Sequence, residues 1–172
     1  MSPLRTPAKA KLFNRDALAS QIVEWRRQGD RIVFTNGCFD ILHIGHIQYL
    51  EAAAAHGDRL IIAVNEDASV RQLKGETRPI NTLSSRMYLL ASLTFVDAVL
   101  PFAEETPLEV ILAIKPDVIV KGGDYTEDTI VGAQEVKSWG GEVAVIPFVQ
   151  GHSTTSIENK ILSLHKHKTN ES

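Results

Sequence analysis

Arg31-Ile32-Val33-Phe34-Thr35-Asn36-Gly37-Cys38-Phe39-Asp40-Ile41-Leu42-His43-Ile44-Gly45-His46 begins as a short apolar run, turns polar at Asn36, and ends in two histidines three residues apart. A run of this length, rich in Ile and Val and bounded by turn residues, reads as a buried strand. Next comes Ile47 to His56, alanine-rich, with Tyr49, Leu50 and Ala53 at helical spacing, and then a second apolar run from Arg59 to Val64. Strand, helix and strand in that order make a βαβ unit with parallel strands.

Working outward, the alternation continues. Helices are expected near Ser84 to Leu93, after Thr106 and after Thr129, and strands near Ala98 to Leu100, from Asp117 to Val120 and from Glu142 to Ile146. Thr106-Pro107-Leu108-Glu109 has the form of a capping box with proline at the first helical position, and Thr155-Ser156-Ile157-Glu158 repeats the signal before a last helix. Upstream, Asn14 to Gln28 carries Leu18, Ile22 and Trp25 on one helical face, with Asn14 as its cap. The pattern predicts an α/β, Rossmann-like five-stranded parallel sheet with helices on both faces. It is expected as a single domain over residues 14–164, between flexible tails at 1–13 and 165–172.

The 172 residues suit one compact domain, and a single cysteine, Cys38, leaves no intrachain disulfide to form. No apolar segment of signal-peptide or membrane-spanning length is present, so a soluble cytoplasmic protein is expected. A net charge of -3 and a pI near 6.1 argue against a broad nucleic-acid surface. Phosphate groups would have to be held locally.

Ligands of such sheets sit beyond the carboxyl ends of the strands, where strand order reverses. In the first loop, His43 and His46 straddle Gly45 at a helix start, where unpaired backbone N-H groups favour anions and glycine permits close approach. Two imidazoles there can donate to phosphate oxygens whose charge grows during an in-line displacement. Each could instead be a cap or pack on the sheet. A zinc site with Asp40 lacks a fourth ligand, and Cys38 as nucleophile competes with its plainer reading as a small half-buried turn residue. The Gly-x-Gly-x-x-Gly turn of a nicotinamide-binding domain is missing.

The second loop brings Lys74 and Arg78, and the next helix Arg86: three cations that suit a triphosphate, or solvated surface charges. Asn65 and Asp67 bind ligand or cap the turn. Lys121-Gly122-Gly123-Asp124 allows close backbone approach and offers a carboxylate to sugar hydroxyls, unless it is a plain strand-to-helix turn. Ser153-Thr154-Thr155, after Gly151, gives a second helix start with hydroxyls.

Together these segments resemble the nucleotidyltransferases with a His-x-Gly-His motif, among them the glycerol-phosphate and ethanolamine-phosphate cytidylyltransferases. Thr35 to Leu50, Arg78-Pro79-Ile80-Asn81, Val120 to Tyr125 and Gly151 to Thr155 look closer still to the heptose 1-phosphate adenylyltransferases, over roughly Arg31 to Leu164. That resemblance implies transfer of AMP from ATP to D-glycero-β-D-manno-heptose 1-phosphate, with Mg2+, giving ADP-heptose and pyrophosphate for lipopolysaccharide core assembly. It also implies a homo-oligomer, and a separate sugar kinase to supply the substrate.

By resemblance the catalytic residues would be His43, His46, Lys74 and Arg86. The nucleotide would meet Thr35, Asn36, Gly37, Cys38, Phe39, His43, Gly45, His46, Lys121, Gly122, Asp124, Ser153, Thr154 and Thr155. The acceptor would meet Asp40, Asn65, Asp67 and Arg78; no protein site for a resident metal is expected. Phe148 stands where the cytidylyltransferases carry an arginine five residues before the serine, which disfavours CTP, and the role of His152 is open. A cytidylyltransferase, an adenylyltransferase for another acceptor such as glycerol 3-phosphate, and a non-catalytic nucleotide-binding module are the alternatives.

Overall fold

The computed structural model describes residues 6–123, 125–147, 151 and 153–169. Five strands, β1 (Ile32–Gly37), β2 (Arg59–Asn65), β3 (Ala98–Phe102), β4 (Val118–Gly122) and β5 (Glu142–Ile146), form one parallel sheet in the order β3-β2-β1-β4-β5. The helices are α1 (Arg15–Gln28), α2 (Ile44–Ala54), α3 (Asp67–Lys74), α4 (Leu83–Ala91), α5 (Leu108–Ile114), α6 (Ala133–Ser138) and α7 (Thr154–Thr169). The chain winds outward from β1 to β3, then crosses back to lay β4 beside β1. Strand order therefore reverses between β1 and β4, which is where such a sheet opens a crevice.

Alternation along the strands feeds two cores. Ile32, Phe34, Ile61, Ala63, Leu100 and Ile119 point to one face and pack with Leu18, Ile22 and Trp25 of α1, Val110 and Ile111 of α5 and Val136 of α6. On the other face, Val33, Leu60, Ile62, Val64, Val99 and Val120 pack with Leu50 and Ala53 of α2 and Leu90 and Ala91 of α4. Burial on both faces is why these strands read as continuous apolar runs. Asn14 caps α1 as its sequence suggests, its side chain accepting from Ala17 N at 2.8 Å. Among the described residues no helix is long and apolar enough to cross a membrane.

Several local expectations change. The segment after β2 is not a plain loop, because Asp67–Lys74 forms α3, with Ser69 and Val70 buried. Thr106 does not cap α5: Pro107 holds the cap position with no side-chain cap bond. At α7 the cap lies two residues earlier than Thr155, where Ser153 Oγ accepts from Ser156 N at 3.0 Å. Glu158, freed from a capping box, pairs with Arg78. Packing also begins before Asn14, since Lys11 Nζ donates to Leu93 O at 2.9 Å and Phe13 N to Val99 O at 2.9 Å. A segment that tethers its polar groups in this way belongs to the body and not to a tail. At the other end, α7 runs on past Leu164 to Thr169.

Candidate active site

The ends of β1 and β4 and the starts of α2 and α7 enclose a cleft of about 270 Å³. Asn36, Gly37, Cys38, Phe39 and Asp40 line it from β1, with His46 and Tyr49 from α2 and Lys74 from the end of α3. Lys121, Gly122 and Tyr125 close it from β4, and Thr154 from α7. Most groups expected around a nucleotide thus converge, although they come from five separate elements.

The turn after β1 shapes the histidines. Phe39 adopts a left-handed backbone, φ 48°, a conformation disfavoured for a side chain of its size. A Cβ on Gly37 would come within 3.0 Å of the Phe39 ring, so glycine there is what lets the ring fold back. The ring meets His46 edge-on with centroids 5.4 Å apart, and His43 stacks on His46 with centroids 3.8 Å apart. His46 is thereby fixed in orientation. Burial, then the neighbouring His43 and Lys74, push its pKa down to about 4, so its imidazole is neutral at pH 7. Its buried Nδ1 has no hydrogen-bond partner among the described residues. A phosphate arriving beside it would reverse the local charge balance and favour the protonated, doubly donating form.

Lys121 is the second cation. Its Nζ lies 3.1 Å from Asn36 Oδ1, and burial lowers its pKa from the usual lysine value. Tyr125 places its ring 5.8 Å from the same ammonium. Cys38 also lines the cleft, but burial raises its thiol pKa against the pull of Lys74, Arg86 and Lys121, which suits a packing residue and not a nucleophile.

Other expected contact residues make bonds within the protein. Thr35 is wholly buried and bonds Tyr49 Oη at 2.6 Å, while that phenol donates to Val120 O at 3.1 Å, tying β1 to β4 through α2. Gly45 sits in the first turn of α2, outside the cleft lining. Arg86 is wholly buried: Nε donates to Asn81 O, Nη1 to Cys38 O, and Nη2 to Asn65 O and Asp67 Oδ1. With those bonds made it faces protein carbonyls, not the cleft, and Asp67 is its counterion. Asn65 is buried too and donates to Ser69 Oγ.

Asp40 borders the cleft, yet its carboxylate accepts from Ile80 N, Asn81 N and Arg78 Nε. Burial pushes its pKa up, but those two backbone N-H groups and Arg78 outweigh it, and the group ends below the usual aspartate value. Arg78 spans Asp40 and Glu158, both at 2.6 Å. Ser153 spends its hydroxyl on the α7 cap and Thr155 is exposed, leaving Thr154 as the residue of the trio on the cleft. Asp124, Phe148 and His152 lie outside the described residues. Tyr125 and Tyr49 also line the cleft, and neither carries a sequence signal for it: Tyr49 reads as a core position of its helix.

Residues 34–166 match the family model for cytidylyltransferase-like proteins. The chain belongs to the cytidylyltransferase-like family. Among relatives of this cytidylyltransferase-like chain, the "Bifunctional protein HldE" of Methylobacillus flagellatus is 56% identical over 153 residues, covering 89% of the chain and 31% of the relative. The protein of the same name from Ectopseudomonas mendocina is 56% identical over 87% of the chain and 32% of the relative. The chain therefore spans about a third of the length of these relatives. A lipopolysaccharide core biosynthesis protein from Thermoplasma volcanium has a solved structure similar at TM-score 0.57 and 29% identity, covering 72% of this chain and 100% of that one. Pantoate-beta-alanine ligase from Francisella tularensis shares the fold, at TM-score 0.59 and 17% identity over 86% of this chain and 75% of that one.

Proposed function

We propose that the chain transfers AMP from ATP to D-glycero-β-D-manno-heptose 1-phosphate, giving ADP-heptose and pyrophosphate for lipopolysaccharide core synthesis. The observation that carries this is the convergence of His46, Lys74, Lys121 and Thr154 on one cleft at the point where strand order reverses. The name of the Thermoplasma volcanium protein supports the pathway, and the resemblance of the motifs supports the sugar.

An oxygen of the acceptor phosphate attacks the α-phosphorus of ATP, forming the new P-O bond as the bond to the β-phosphate oxygen breaks and pyrophosphate departs. The acceptor is already ionised at neutral pH, so the protein's work is orientation and charge stabilisation, not proton abstraction. Lys74 and Lys121 both supply positive charge to the cleft. His46, neutral before a phosphate arrives, donates to the oxygens that gain charge, with His43 stacked behind it. Backbone at Gly37 and Gly122 lets the nucleotide approach closely, and the start of α7 faces the phosphates with Thr154.

Mg2+ belongs to the reading through the nucleotide. Among the described residues no group of three or more His, Cys, Asp or Glu side chains could hold a metal, and the Asp40 carboxylate is already occupied by three donors. In this reading the nucleotide's phosphates carry the ion. A kinase-type reaction must supply the sugar 1-phosphate. The reaction is assigned to the cytoplasm, and self-association is part of the reading, with Ile161, Leu162 and Leu164 of α7 exposed.

Pyrophosphate release with ATP or CTP against heptose 1-phosphate, glycerol 3-phosphate and other sugar phosphates tests the proposal. Turnover confined to ATP with heptose 1-phosphate is expected. Preference for CTP or for another acceptor would replace the assignment, and tight ATP binding without release under any pairing would make the chain a nucleotide-binding module.

A further inference from the structure

Helix α7 rests on the body along one narrow stripe. From Thr154 to Leu164, only Thr154, Ile157 and Glu158 are partly shielded from solvent, and the other residues are exposed. Spacings of three and four place those residues on one helical face. Thr154, at the upper end, lines the cleft, Ile157 is the apolar contact, and Glu158 Oε1 lies 2.6 Å from Arg78 Nη1. Arg78 in turn sets Nε 2.6 Å from Asp40 Oδ2, with its side chain 11% exposed and the aspartate's 1%. An unbroken run of charge-assisted hydrogen bonds thus links the loop after β1 to the second turn of α7.

A helix with a single, half-buried apolar side chain over its first three turns has little hydrophobic hold on its partner. Its rotation and distance then depend on the polar contact. Asp40 has independent support from Ile80 N and Asn81 N, so removing Glu158 leaves the β1 side in place and releases only α7. Among the described residues Arg78 Nη2 already lacks a partner, and Nη1 would lose its own.

We propose that Glu158 is a positioning residue: through Arg78 it holds helix α7 at the rotation that turns Thr154 toward the cleft, and so sets nucleotide affinity without touching the nucleotide. This rests on the reading that nucleotide phosphates lie at the start of α7.

The test compares the full chain with Glu158→Ala, Glu158→Gln and Glu158→Asp, using hydrogen exchange of peptides covering 153–164 and of β1, calorimetric ATP binding, and kcat. Glu158→Ala should exchange roughly tenfold or more faster in 153–164 with β1 unchanged, and bind ATP about tenfold more weakly, the scale of losing one hydrogen bond between charged groups. Its kcat at saturating ATP should stay within about threefold, because positioning residues outside the reacting centre act through binding. Glu158→Asp should recover more of both effects than Glu158→Gln. Unchanged exchange in a Glu158→Ala protein of normal circular dichroism overturns the strap, and faster exchange with unaltered ATP affinity overturns its role in positioning. Failure of the functional reading would look different, since the unaltered chain would then bind no ATP or release no pyrophosphate.

Discussion

Arg86 Nη2 stands 2.7 Å from Asp67 Oδ1, with the arginine wholly buried and the aspartate side chain 34% exposed. The partner that reaches water can relax when the pair is broken; the buried one cannot. Arg86→Ala should therefore cost about 3–5 kcal/mol in urea unfolding, leaving the carbonyls of Cys38, Asn65 and Asn81 without their donor, while Asp67→Asn should cost clearly less. Equal losses would show that the pair's energy resides in the ion contact and not in the carbonyl bonds.

His46 governs a pH response whose direction follows from its pKa, 6.5 ordinarily and about 4 in the folded chain. Between those values the unfolded chain binds more protons than the folded one, so stability falls as pH drops from 6.5 toward 4. His46→Asn should flatten that part of the pH dependence in urea titrations at pH 7, 5.5 and 4.5. A variant as acid-sensitive as the parent would assign the response to other groups.

Replacing His46 by Ala should lower turnover on the order of a hundredfold while the fold persists, as for loss of one donor to a charge-developing oxygen. Initial rates of pyrophosphate release and near-normal circular dichroism check this. Turnover close to the parent's would remove His46 from the chemistry.

Lys121 exposes a trade between function and stability. It is a cation with reduced access to water, hydrogen-bonded to Asn36 and with no carboxylate paired to it among the described residues. Lys121→Met should keep or raise stability, by up to about 2 kcal/mol, and weaken ATP binding at least tenfold. Denaturant melts and calorimetry decide between this and a structural role, in which both quantities would fall together.

Sheet and helices were legible because burial on both faces leaves near-continuous apolar strands and because Asn14 advertises its helix. Glu142–Ile146 falls where expected. What sequence could not show was α3, whose short polar face resembles a loop, or which of several hydroxyls would cap α7. At the site, local motifs named the cleft residues Asn36, His46, Lys121 and Thr154 correctly as neighbours. The long cations were harder. Whether Arg86 turns toward phosphate or toward the carbonyls of Cys38 and Asn65 depends on where the ends of β1 and β2 lie, and sheet pairing sets that from a distance. The bond between Thr35 and Tyr49 is hidden from sequence for the same reason, since Tyr49 arrives from the following helix.

Strand order β3-β2-β1-β4-β5 means that the backbone crosses the middle of the sheet once, between Phe102 and Val118. His46 and Lys74 belong to the part before that crossing, Lys121 and Thr154 to the part after it. Severing the backbone in the exposed stretch around Glu105 would leave each fragment with one positively charged wall and neither with both. Recovered turnover on mixing such fragments would count productive reassembly directly, making the reaction a reporter of how well two half-sheets find each other.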